Sequence, residues 1–174
     1  NLGLLLPGEV IAAAVKEFEA GKVPINCAEG FIRQVIGWRE YMWNCYWQWM
    51  PDYAHMNVLA AEVPLPEFFT SPKTTKMACM KSVLEGVYEH SYAHHIERLM
   101  VLGNFALIAG INPQELTSWM WNSFVDAAEW VMVPNVYGMS QFADGGLMTT
   151  KPYFSSSNYL KKQGLKFLSE DAVL

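Results

Sequence analysis

The stretch that decides the fold covers residues 92–110 and reads YAHHIERLMVLGNFALIAG. Its apolar residues recur at helical spacing without an interrupting proline, which predicts one long helix over residues 92–109. Gly110 stands where a glycine commonly ends a helix. Asn112 and Pro113 then follow as an N-cap and a first-turn proline, which predicts a second helix directly after the first.

Helical patterns also lie on both sides of this stretch. Pro7 and Gly21 mark the two ends of one helix, and Asn26 with Glu29 has the spacing of a capping box. Further helices are predicted over residues 28–46, 76–89 and 113–130. The four prolines of residues 50–72 predict an ordered loop, and residues 134–158 predict a functional loop laid over a helical core. No strand pattern is convincing, so the predicted fold class is all-α.

Composition excludes several classes of protein. The chain has 174 residues, 52% hydrophobic and 17% charged, which fits one globular domain and excludes a disordered segment. A net charge of −5 excludes a basic nucleic-acid module taken whole, so any DNA contact must come from a local patch. Cys27, Cys45 and Cys79 form no CxxC pair, which favours a reducing cytoplasm over a disulfide scaffold. No membrane span or signal peptide is visible.

The neighbouring histidines His94 and His95 are the sharpest local feature. Adjacent residues on a helix point about 100° apart, so these two cannot bind one metal from the same face. The Glu-x-x-His pattern of di-iron bundles is absent from the sequence. Two interpretations stay open: one core and one surface histidine, or a proton donor placed at a pocket.

Charged and aromatic residues in apolar surroundings are a second feature. Arg98 and Asp126 both lie in apolar stretches, which predicts a buried ion pair, either structural or held against a cofactor. Trp38 with Arg39 is either an amphipathic face or an aromatic wall beside a phosphate-binding arginine. Seven tryptophans exceed what a core of this size needs, so we expect some rings to line a ligand site or carry electrons.

Several motifs resemble the photolyase and cryptochrome family. Residues 1–5 (NLGLL) and 37–41 (GWREY) resemble motifs of its FAD-binding domain. Residues 92–100 (YAHHIERLM) and 138–146 (GMSQFADGG) resemble its bacterial iron–sulfur branch, the deoxyribodipyrimidine photolyase-related proteins, which include prokaryotic (6-4) photolyases. The resemblance implies that residues 1–162 are part of the helical FAD-binding domain, incomplete at both ends, and that residues 163–174 diverge. An upstream α/β antenna domain is then missing from this chain.

The resemblance also implies roles for individual residues. The flavin would be bound by residues of the helical motifs: Gln34, Trp38, Arg39, Arg98, Asp126, Asn135 and Asp144. The catalytic set would comprise His94 and His95 as proton-transfer groups, Tyr153 on the loop over the lesion and Trp119 as an electron carrier. Met120 and Met132 depart from the family, which often has Tyr and Glu at these places.

Cys79 corresponds to the first of four [4Fe–4S] ligands, whereas Phe167 and Glu170 stand about where a CxxC pair belongs. Because one thiolate cannot hold a cluster that needs four, we expect no cluster in this chain.

The function that the resemblance implies is light-driven repair of UV-damaged DNA, with (6-4) photoproducts as the leading candidate lesion. Reduced FAD would pass an electron to a lesion flipped out of the duplex. The partners would therefore be FAD and damaged DNA, with no membrane. Two alternatives stay open: a cryptochrome-like blue-light photoreceptor that does not repair, and a non-catalytic helical remnant without FAD.

Overall fold

A computed structural model describes residues 3–162, so the predicted divergent tail, with Phe167 and Glu170, lies outside the described residues. The fold is all-α, as predicted, and within residues 3–162 the one β-type contact is an isolated parallel bridge between Val63 and Ile111. The described part of the chain contains nine α-helices: α1 (Pro7–Glu19), α2 (Ile25–Arg33), α3 (Arg39–Trp49), α4 (Ala78–His90), α5 (His95–Glu97), α6 (Asn104–Ala109), α7 (Pro113–Ser123), α8 (Glu129–Val133) and α9 (Ser157–Lys162). None of the helices described is long and apolar enough to cross a membrane.

Three π-helical segments interrupt or extend these helices. They are π1 (Gln34–Trp38), π2 (Arg98–Gly103) and π3 (Pro134–Ser140). Each wider turn is inserted into a longer helical run, so α2 and α3 form one run and α5 and α6 another. Such segments concentrate at functional sites in proteins generally.

The predicted ends of the central helices are largely confirmed. Gly110 ends α6 in the left-handed region at φ +68°. The Asn112 side chain accepts hydrogen bonds from the N–H groups of Gln114 and Glu115, at 2.8 and 3.2 Å. The first helix also begins at Pro7, and Gly21 follows its end at φ +70°.

Four predicted boundaries were wrong, each for a local reason. The second helix begins at Ile25, because the Pro24 carbonyl already accepts the N–H groups of Cys27 and Ala28. The helix predicted from residue 92 begins at His95, since His94 keeps an extended backbone with ψ 147°. The helix predicted over residues 113–130 ends at Ser123, where Phe124 becomes extended and the next N–H bonds to Ser91. Residues 134–140, predicted as loop, are π-helical.

Two glycines let π3 lie close to its neighbours. A Cβ atom on Gly103 of π2 would lie 2.0 Å from Oγ of Ser140, and one on Gly138 would lie 2.3 Å from Oη of Tyr53. Neither position therefore admits a side chain without movement of its neighbour. The main core lies on the other side of π2, between α4, α6 and α7, with Leu84, Leu102 and Leu116 fully buried.

Candidate functional site

The three π segments meet around one cavity of about 960 Å³. This is the upper part of the range of about 300–1,000 Å³ that is usual for small-molecule and cofactor sites. The π segments contribute a large share of its wall: Gln34, Val35, Trp38, Arg98, Leu99, Asn135, Val136, Met139 and Ser140. Residues of α1, α2, α3, α5, α7 and α8 and of the segments between them complete the wall, so the cavity joins parts of the chain that are about a hundred residues apart.

Most of the residues that sequence analysis singled out for a cofactor face this cavity. Six of the seven flavin candidates line it: Gln34, Trp38, Arg39, Arg98, Asp126 and Asn135. His95 lines it as well, whereas His94, Trp119, Tyr153 and Asp144 are not among its lining residues. The fold thus gathers candidates from separate stretches of the chain into one site.

The predicted ion pair between Arg98 and Asp126 is confirmed. Nη2 of Arg98 lies 2.8 Å from Oδ1 of Asp126, and the two side chains are only 13% and 11% exposed. Nε of Arg98 donates to the carbonyl of Ala93 at 2.7 Å. The guanidinium also lies over the rings of Phe124 and Tyr92, at 4.1 and 5.0 Å. Such a large set of partners fixes the guanidinium at the wall of the cavity.

His95 is the histidine that faces the cavity. Partial burial lowers its pKa below the usual value near 6.5, and the positive charges of Arg98 and His94 lower the pKa further. His95 is therefore mainly neutral at pH 7, ready to accept a proton or to donate one from a single ring nitrogen.

His94 has a different position from the one predicted, because it precedes the helix. It acts as the N-cap of α5: its Nδ1 accepts the N–H of Ile96 at 3.2 Å. The Glu97 carboxylate accepts the backbone N–H of His94 at 2.8 Å, which completes the cap. The 100° separation expected for two helical neighbours thus does not apply here.

An aromatic wall with a cation forms another side of the cavity. The Arg39 guanidinium lies 5.2 Å from the ring of Trp130, and it pairs with the adjacent carboxylate of Glu40. Trp130 in turn contacts Trp43 at 5.4 Å between ring centroids. The wall offers flat apolar surface for a ring system and a positive charge for an anionic group.

Trp119, the predicted electron carrier, is in the core. It is 8% exposed and packs edge to face on Phe69 and Phe124, at 5.0 and 5.9 Å. Its indole N–H has no hydrogen-bond partner among the residues that the structure describes. Phe124 contacts both Trp119 and Arg98, so one phenyl ring joins the tryptophan to the cavity wall.

Comparison of the chain with known proteins identifies related sequences. No family model matches the chain. A curated (6-4) photolyase of Agrobacterium fabrum is 50% identical over 162 residues, which is 93% of this chain and 32% of that protein. The chain belongs to the photolyase family. It spans about a third of the length of that relative. A second match, uncharacterized protein R855 of Acanthamoeba polyphaga mimivirus, is 49% identical over 63 residues, 36% of this chain and 51% of that protein.

Two of the predicted residues have other surroundings in this photolyase-family chain. Asp144 is buried: Oδ2 accepts from the Tyr53 hydroxyl at 2.7 Å and from Met148 N–H at 3.0 Å, and Oδ1 accepts from Gly146 N–H at 2.9 Å. Its carboxylate holds the turn after π3. Tyr153 is 38% exposed on the irregular segment that follows this turn.

Cys79, the predicted cluster ligand, is a free cysteine on α4 that packs against the main core. Within residues 3–162, no group of three or more His, Cys, Asp or Glu side chains is placed to hold a metal ion. The absence of an iron–sulfur cluster stays a prediction, to be checked by iron analysis of the purified protein.

Trp130 and Ser140 are among the lining residues to which the sequence pattern assigned no role. Ser140 lies in residues 138–146, one of the stretches that carried the family resemblance. Trp130 was detectable as an aromatic next to Glu129. Ser140 carries no signal of its own, because a single serine in a glycine-rich stretch is typical of any turn.

Proposed function

We propose that this chain forms part of a light-driven, FAD-dependent DNA repair enzyme and that its cavity holds the flavin. The observation that carries the proposal is the convergence of six residues from separate motifs on one cavity of about 960 Å³. The relative that is 50% identical bears the name (6-4) photolyase, which supports (6-4) photoproducts as the lesion. This chain covers 32% of that relative, so the complete repair activity is proposed for the protein of which this chain forms part.

The residues present suit a flavin. Trp38 and Trp130 give flat apolar surface, and Arg39 places a cation beside them for a phosphate group. Nδ2 of Asn135 donates to the Val131 carbonyl at 2.7 Å, so its side-chain oxygen is the atom that remains to accept a hydrogen bond from a ligand. When bound and reduced, the flavin would supply on illumination the electron that starts lesion cleavage.

Arg98 and Asp126 hold the polar wall without carrying net charge into the cavity. Because the guanidinium is fixed by Asp126, Ala93 and two rings, it keeps one position when a ligand binds. His95 would exchange the proton of the repair reaction. A negative charge that develops on the lesion next to it would raise its pKa and favour the protonated form.

The proposal is tested by illuminating the protein with FAD, a reductant and an oligonucleotide that carries one (6-4) photoproduct. We expect light-dependent loss of the lesion by chromatography, none in the dark, and none with His95→Ala. His94→Ala is the matched control, because its ring caps α5 and is not a lining residue. Equal repair by His95→Ala and wild type would contradict the role of His95. No repair by wild type would contradict the proposed activity.

The photoreceptor alternative is favoured by one observation, the net charge of −5. Affinity for DNA relies on cations that neutralise phosphates and is strongly dependent on salt. A mobility shift with lesion-containing duplex at two salt concentrations separates the two functions. Binding that weakens with salt supports repair, whereas flavin photoreduction without any duplex binding supports a photoreceptor.

A further inference from the structure

Ser140 is a buried hydroxyl group at the end of π3. It is 5% exposed and belongs to the wall of the cavity. The next residue, Gln141, is 4% exposed and donates from Nε2 to Oγ of Ser140 at 2.8 Å and to the carbonyl of Gly103 at 3.0 Å. Two polar side chains are thus held together at the crossing of π2 and π3.

The direction of this hydrogen bond decides what Ser140 has left to offer. A hydroxyl carries one hydrogen and accepts through its lone pairs. Because the amide of Gln141 occupies the oxygen as a donor, the hydroxyl hydrogen is still free to donate, and no acceptor for it is found among residues 3–162. Burying a donor without a partner is costly, so a partner that arrives with a ligand is favoured.

The position of Oγ is also fixed from the opposite side. A Cβ atom on Gly103 would lie 2.0 Å from it, so the oxygen packs directly on the backbone of π2. Gln141 is therefore a positioning residue. Its side-chain amide donates to the Gly103 carbonyl and to Ser140 Oγ, so Oγ of Ser140 acts as the acceptor in that hydrogen bond.

Asn135 supplies the complementary group on the same segment. It lies five residues before Ser140, one π-helical hydrogen-bond step away, and both residues line the cavity. Nδ2 of Asn135 donates one of its two hydrogens to the Val131 carbonyl, and Oδ1 is the acceptor of the side chain. Because both residues line the cavity, Ser140 can supply a donor and Asn135 an acceptor to the same ligand.

We propose that Ser140 and Asn135 form a donor–acceptor pair that recognises the edge of a cyclic imide, where a carbonyl oxygen stands beside a ring N–H. The inference rests on the proposed function and names the atoms that the site reads. Two ligands of the reaction have such an edge, the flavin ring and a thymine-type base. The experiment therefore has one arm for each source.

The first arm measures binding of riboflavin, which lacks the diphosphate, to wild type and Ser140→Ala. Loss of one neutral hydrogen bond should weaken binding by about twofold to tenfold. The carbonyl stretching frequency of the bound ring should rise in Ser140→Ala, a shift that a merely structural role would not cause. Riboflavin methylated at the imide nitrogen should bind wild type more weakly, since it has no N–H for Asn135.

Gln141→Glu provides a second variant that keeps Ser140. Its carboxylate would accept the Ser140 hydrogen and reverse the hydrogen bond, so it should reproduce the Ser140→Ala spectrum. Thr117→Val is the matched control, because that buried hydroxyl donates to the Pro113 carbonyl at 2.6 Å and is not a lining residue. It should lower the melting temperature and leave riboflavin affinity and frequency unchanged.

The second arm repeats the titration with thymidine. Ser140-dependent binding of thymidine and not of riboflavin would keep the imide pair and contradict the flavin site. Riboflavin binding with equal affinity and carbonyl frequency in wild type and Ser140→Ala would overturn the pair and leave the proposed function standing. Failure of wild type to bind either compound would overturn both.

Discussion

Asp126 and Asp144 are both largely buried aspartates, yet they have opposite surroundings. Asp126 pairs with the guanidinium of Arg98 at the wall of the cavity. Asp144 accepts hydrogen bonds from neutral donors only among the contacts described, the Tyr53 hydroxyl and two backbone N–H groups. The partners of each carboxylate therefore determine its structural role. The carboxylate of Asp126, paired with Arg98, forms part of the cavity wall. The carboxylate of Asp144, whose hydrogen bonds come from a turn and from Tyr53, stabilises the chain segment after π3.

The largest effect is expected from breaking the pair at the cavity. Asp126→Ala leaves the Arg98 charge largely buried without its carboxylate, which should lower the free energy of unfolding by about 3–5 kcal/mol. Urea unfolding followed by circular dichroism measures this. In the Arg98→Ala/Asp126→Ala double variant the loss should be smaller than the sum of the single losses. Strict additivity would show that the two side chains do not interact.

A smaller loss is expected at the turn. Asp144→Asn keeps the size of the side chain but removes the charge that three donors share, so unfolding should become easier by about 1.5–3 kcal/mol. Its flavin affinity should match that of wild type, because Asp144 is not a lining residue. A selective loss of flavin binding with unchanged stability would reverse the roles assigned to the two aspartates.

The pKa of His95 distinguishes the surroundings of Asp126 from those of Asp144 in the folded protein. Its folded pKa lies below the unfolded value near 6.5, so the folded state binds fewer protons, and stability should fall as the pH drops below about 6.5. Arg98→Met should raise the pKa of His95 in an NMR titration, since a positive charge is removed. Arg98→Lys, which keeps the charge, and Asp144→Asn should leave the pKa of His95 nearly unchanged. Equal shifts in all three variants would contradict the electrostatic cause.

The smallest effect is expected from removing the buried Tyr53 hydroxyl that donates to Asp144. Tyr53→Phe removes one of the three donors to Asp144, and the other two remain, so the loss should be about 1 kcal/mol. Burial and the Asp144 carboxylate raise the pKa of Tyr53, so the effect should not depend on pH between 6 and 9. Thermal unfolding at both ends of this range provides the check.

The sequence could predict one of the two aspartates in full. Arg98 and Asp126 stand out because charges in apolar stretches need each other, and this rule holds without knowledge of the fold. Asp144 was placed at the flavin by family resemblance, and its three donors come from a turn and from Tyr53, which is 91 residues away. Local sequence carries no sign of such a distant partner.

The π segments show a second limit. A helix with a wider turn has nearly the same apolar spacing as an ordinary one, so the pattern of residues 92–109 predicts a helix and not the insertion at π2. The insertions turn the lining residues of three helical runs towards one cavity. The all-α class and most of the candidate residues were therefore predictable, whereas their arrangement and the role of Ser140 were not.

The proposal that the cavity holds the flavin can be tested directly by equilibrium dialysis of FAD. The proteins to compare are wild type, Arg39→Met and Arg33→Met. Arg39 lines the cavity, whereas Arg33 is exposed, pairs with Glu29 and is not a lining residue, so the two variants remove the same charge at different places. If the flavin occupies this cavity, we expect one FAD per chain for wild type and Arg33→Met, and about tenfold weaker binding for Arg39→Met. Absence of FAD binding by wild type, or equal weakening by both variants, would contradict this proposal.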